Sequence, residues 1–203
     1  MTETKARKRG YTAVELLMSI GVLGIGVTGV VAMQKVTITS NQHAKNLAIA
    51  TQVGQAWMEQ LRADALQWNH PSAAVATSDI QDTLWLKEIT GNNANGAWLR
   101  PAWEEEREFG PGFDAQGRPT NVAAATRFCT NLRLTWLYGS NVGVAGNQLI
   151  RAEVRVYWLR DGQAPLDNDA FCTEDPALVG GESGRPVYHA VYDVSAIRQN
   201  TLD

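Results

Sequence analysis

Residues Tyr11 to Met33 form an apolar run whose only charge is Glu15. A helix of that length measures about 35 Å, enough to cross the hydrocarbon core of a bilayer. A carboxylate inside such a segment costs about 2.5–3.5 kcal/mol on insertion scales, so Glu15 calls for a partner. A basic head, Arg7-Lys8-Arg9, stands before the run and ends at Gly10. Basic residues at one end of a span stay cytoplasmic, which sends the C-terminal bulk across the membrane. A secretory signal peptide would cut after an apolar region of about 7–15 residues. Here the apolar run is longer and the glycine precedes it. A plain signal anchor explains the topology but not Gly10 and Glu15 together.

Beyond Met33 the pattern becomes one-sided. Leu47, Ala50, Gly54, Trp57, Leu61, Ala65 and Trp68 recur at helical spacing, with Asn41, Lys45, Gln52, Gln55, Glu59 and Arg62 between them. No proline intervenes before Pro71. One helix of roughly 85 Å is expected from about Tyr11 to Trp68, stopped by Asn69-His70-Pro71-Ser72. Gly21, Gly24, Gly26 and Gly29 lie inside it. They read either as ordinary membrane-helix glycines or as sites of close packing between subunits.

Pro71 to Ser78 reads as a loop. Asp79 to Thr90 reads as a short helix capped by Asp79, with Leu84, Trp85 and Ile89 inward. Gly91 to Gly96 is a turn, and Ala97 to Val122 is irregular. Three strands follow. In Phe128–Tyr138, Phe128, Leu132, Leu134, Trp136 and Tyr138 share one face, and Cys129, Asn131, Arg133 and Thr135 the other. In Gln148–Leu159, Ile150, Ala152, Val154, Val156 and Trp158 alternate with Arg151, Glu153, Arg155 and Tyr157. Such alternation predicts one wet face. Pro186 to Ile197 is the third strand, and Gly139 to Asn147 joins the first two as a hairpin. The fold class is α+β: a long N-terminal helix packed on a C-terminal antiparallel sheet.

The segment from Arg7 to Ile20 resembles the class III signal of type IV pilins and type II secretion pseudopilins. The continuation from Ile20 to Gln34 looks like the V-type (PilV-like) minor pilins. The resemblance implies that a prepilin peptidase cuts after Gly10 and methylates Tyr11, and that Glu15 is the acid that serves subunit assembly. The usual phenylalanine is Tyr11 here, and Ala13-Val14 replaces the common pair before the acid. The implied organisation is a leader at 1–10, a transmembrane and filament-core half-helix at 11–33, an amphipathic half at 34–68 and an exported head at 69–203. Losing the leader removes four cations and one anion from a chain of net charge -3, which gives no basic stripe for nucleic acid. The implied place is the inner membrane, with the head periplasmic, and then the pilus base or tip. The implied partners are other minor pilins, the major pilin, the peptidase, the inner-membrane assembly platform and a PilY-type tip adhesin. A pseudopilin of the I or J type shares the signal. A pilus-borne adhesin and an unrelated single-pass protein are the further alternatives.

No catalytic constellation is expected, and no cofactor or metal. His43, His70 and His189 lack ligand spacing, and Ser183 lacks a nucleophile context. The acids between Asp161 and Asp175 and the run Glu104–Glu108 read as solvated segments. Of the seven tryptophans, Trp98 and Trp103 alone fall in irregular chain and are candidates to meet a partner. Cys129 and Cys172 are the only cysteines, and in an exported domain a pair is most simply a disulfide.

Overall fold

The computed structural model describes residues 11–69, 80–90, 96–138, 148–160, 172–173, 175–177, 179 and 187–199. The chain divides into two compact units, Met1–Asn46 and Leu47–Asp203. Helix α1, Ala13–Asn69, runs through the described part of the first and into the second. In the first unit every residue from Tyr11 to Lys45 is exposed. That stretch includes Leu16, Ile20, Leu23, Ile25 and Met33, and its mean hydropathy reaches 2.2. It is long and apolar enough for a single-pass membrane anchor.

In the second unit α1 buries one face. Ala50, Val53, Trp57, Leu61, Ala65 and Trp68 are buried, while Leu47 and Leu66 remain exposed. Leu47 was expected inside; it lies one turn too early to reach the core. The face packs on an antiparallel sheet of five strands: β1 (Trp98–Leu99), β2 (Gly112–Phe113), β3 (Phe128–Tyr138), β4 (Leu149–Leu159) and β5 (Tyr188–Arg198). The order is β1-β3-β4-β5, and β2 also pairs with β3. Leu132, Leu134, Ile150, Ala152, Val154, Val156, Trp158 and Ile197 meet the helix face. Edge-to-face contacts tie in Trp57, Trp85, Phe109 and Phe113, an arrangement that adds to plain area burial.

Three expectations need correction. The segment 97–122 carries two short strands, β1 and β2, because it lies along β3. Within 80–90 there are two 3₁₀ turns, Ile80–Asp82 and Leu86–Thr90, in place of one helix. The inward residues are as expected there: Trp85 and Ile89 are buried and Leu84 partly so. Thirdly, the second face of β3 and β4 is wet at one end only, where Arg151 is exposed and Arg133 and Thr135 are partly so. Cys129, Asn131, Glu153, Arg155 and Tyr157 are all buried. Asp79, the loop at 71–78 and the hairpin at 139–147 lie outside the described residues.

The two faces of α1 give a direct test. Leu61→Ala should cost about 2–5 kcal/mol in chemical denaturation. Leu66→Ala, the same change on the exposed face, should stay within about 0.5 kcal/mol. Equal effects would mean that the helix does not pack by this face.

Candidate functional site

Gly10 lies outside the described residues, and Tyr11 is 87% exposed just before the helix. Thr12 starts α1. Its carbonyl accepts from Leu16 N–H at 3.2 Å, and its Oγ1 accepts from Glu15 N–H at 3.3 Å. This is the N-cap arrangement, and Thr12-x-x-Glu15 is the sequence pattern of a capping box. That pattern is legible in the sequence. It places Glu15 in the first turn, where free backbone N–H groups and the helix dipole favour a negative charge. Among the described residues nothing bonds its carboxylate.

In the head, Cys129 of β3 and Cys172 are joined by a disulfide with Cα atoms 5.4 Å apart. The bond sits in a small second core with Tyr157, Val179, Val187 and Tyr188. Cys129 is fully buried there, not on a wet face, because Cys172, Pro176 and Val179 cover this side of the sheet. Cys172 takes a left-handed φ of 79°, which an L residue adopts at a cost.

Arg155 fastens the same chain. Its guanidinium donates to Asn131 Oδ1 at 2.7 Å, to Pro176 O at 2.5 Å and to Val179 O. Burial pulls its pKa below the ordinary value, against an opposing pull from Tyr192. Trp98 lies against the guanidinium groups of Arg155 and Arg133, at 4.4 and 4.6 Å. It is therefore engaged within its own fold. Glu153 pairs with Arg133 and with Arg151, the latter at 2.5 Å. Trp103 lines an open cleft of about 510 Å³ with Arg100, Thr120, Asn121 and Thr126.

Sequence reasoning missed Asp64. It is fully buried, and its carboxylate accepts from the N–H groups of Leu84, Trp85 and Leu86 at 2.7, 2.8 and 2.9 Å. The acid ties α1 to the second 3₁₀ turn by satisfying N–H groups that such a turn leaves free. Its spacing does mark it: position 64 falls between Leu61 and Trp68 on the apolar face, where an acid needs bonded partners.

Among the described residues no group of three or more His, Cys, Asp or Glu side chains comes together to hold a metal ion. His70, Ser183 and most of the acids between Asp161 and Asp175 lie outside the described residues. Comparison with protein-family models, with curated proteins and with solved structures finds no match.

Asp64 offers the sharpest test of the head. Asp64→Ala leaves two buried donors and one part-buried donor unsatisfied and should cost about 3 kcal/mol by denaturant titration. Asp64→Asn keeps one acceptor oxygen and should fall between that variant and the parent.

Proposed function

We propose that this chain is a V-type minor pilin that primes type IV pilus assembly and takes a place in the pilus tip complex. One observation carries the reading. Gly10, Tyr11 and Glu15 stand at the start of an exposed apolar helix that continues unbroken into the half packed on the sheet. A signal anchor needs the apolar length but has no use for an acid in its first turn.

In this reading the peptidase cuts after Gly10 at the cytoplasmic face and methylates the amine of Tyr11. The subunit waits in the inner membrane by α1 with its head in the periplasm, where the disulfide is stable. Other minor pilins, the assembly platform and a PilY-type adhesin then join it, and the complex templates the major pilin. Glu15 supplies the docking charge: a carboxylate in an apolar layer gains most from a cationic amine on a neighbour.

Deletion of the gene tests the role. Loss of pili in electron micrographs, with loss of twitching, supports priming. Blocked secretion of folded enzymes with normal pili would reassign the chain to the pseudopilins. Normal pili with lost attachment would make it an adhesin.

Two substitutions test the residues. Gly10 replaced by a bulky residue should leave a membrane-bound precursor heavier by the leader; normal-sized mature protein would sink that assignment. Glu15→Leu should be processed and inserted normally yet bring down far less of the other minor pilins on purification. Glu15→Asp should retain part of that association. Undiminished association of the leucine variant would show that the acid does not serve docking.

A further inference from the structure

β5 ends the sheet, and among the described residues no strand pairs with its far side. Geometry decides which backbone groups face that side. In an antiparallel pair, successive residues direct their N–H and C=O to one neighbour and then the other. Gln199 donates to Gln148 O at 2.8 Å, and Arg160 donates to Val187 O at 2.9 Å. Odd-numbered residues of β5 therefore serve β4. The backbone groups of Ala190, Tyr192, Val194 and Ala196 point to the open edge. The Val194 N–H agrees, since it donates to the Asp193 carboxylate at 2.9 Å.

Edge strands are normally guarded by lysine, proline, bulges or inward-pointing charges. β5 runs 11 residues in unbroken register, without proline or lysine. Its outer face carries Ala190, Tyr192, Val194 and Ala196, with Tyr192 55% and Val194 49% exposed. Its charges are Arg198 at its exposed end and, at its centre, Asp193, half-buried on the helix side beside Gly54. Arg62 on that side of α1 donates to Ser195 Oγ at 3.3 Å.

We infer that the open edge of β5 receives an extended segment of another protein chain, carrying a cation opposite Asp193. An open row of backbone donors and acceptors is matched only by another extended backbone. A second copy of this chain fits badly. Two-fold pairing with full overlap sets Asp193 against Asp193 at a close pair, with Cα atoms about 4.5 Å apart, and like charges directly opposite are destabilising. The same acid that disfavours self-pairing selects a basic partner strand. The inference rests on the pilin reading only for the origin of the strand, a neighbouring subunit.

The full chain in detergent micelles is mixed with a synthetic peptide that alternates threonine and valine around a central arginine. A second peptide has glutamate at the centre. The arginine peptide should slow amide exchange at Ala190, Tyr192 and Ala196 and bind about tenfold more tightly than its counterpart. Asp193→Lys should invert that preference. Ala190→Pro with Ala196→Pro removes outward N–H groups and leaves the β4 ladder intact, and should abolish binding. Unslowed exchange, equal binding of the two peptides, or binding unchanged by the prolines would overturn the inference. If the proline variant fails to fold, the Asp193→Lys result decides. Leader processing and pilus counts play no part in this measurement, so its failure is distinct from failure of the pilin reading.

Discussion

The fold depends on one helix serving two surroundings in succession. Up to Lys45 the side chains of α1 have no protein around them; from Ala50 onward one face is fully buried. A helix can do both because its backbone bonds are satisfied within the segment whatever lies outside. What changes along it is the side-chain pattern alone, from apolar on all sides to apolar on one. Trp57, Leu61 and Trp68 are buried in the main core of the head, together with the apolar side chains of the sheet. The disulfide, the Arg155 contacts and the Asp64 contacts each fasten a surrounding segment to that centre.

The parts fastened in this way are the parts the sequence conceals. α1 and the three long strands are legible because their periodicities are local and strong: 3.6 along the helix and two along β3 and β4. Their bounds fall within two residues of expectation. The two-residue strands β1 and β2 have no periodicity to read; they exist because β3 offers partners from a distance in sequence. The covered second face misleads for a related reason. Arg133, Glu153 and Arg155 alternate with apolar residues as a wet face would, yet they form a charged layer roofed by Trp98, Pro176 and Val179. Alternation reports polarity, and burial of the polar side depends on which loop closes over it.

That charged layer has a specific cost and use. Desolvating a guanidinium is expensive, and apolar residues of the same shape would often be as stable. Arg155 offsets the cost with oxygen acceptors from three separate residues. Those acceptors exist together in one registration of β3, β4 and the chain beyond Cys172. A greasy contact would tolerate sliding, whereas a buried cation with fixed acceptors does not. The Cys129–Cys172 bond holds the same chain to β3 covalently, so position and attachment are set by different means.

Two of the three acids of α1, Glu15 and Asp64, show one chemical group in opposite surroundings within one helix. Both sit where backbone N–H groups lack helical partners. Asp64 meets the start of a 3₁₀ turn, and its two oxygens are occupied by three N–H donors in a buried site. It has nothing left to offer another molecule, and its energy is spent on the fold. Glu15 lies in the first turn behind the Thr12 cap, where the dipole lowers the cost of its charge without a bond to its carboxylate among the described residues. The cap thus accounts for Glu15 as a feature of its own helix and leaves its carboxylate without a bond among the described residues.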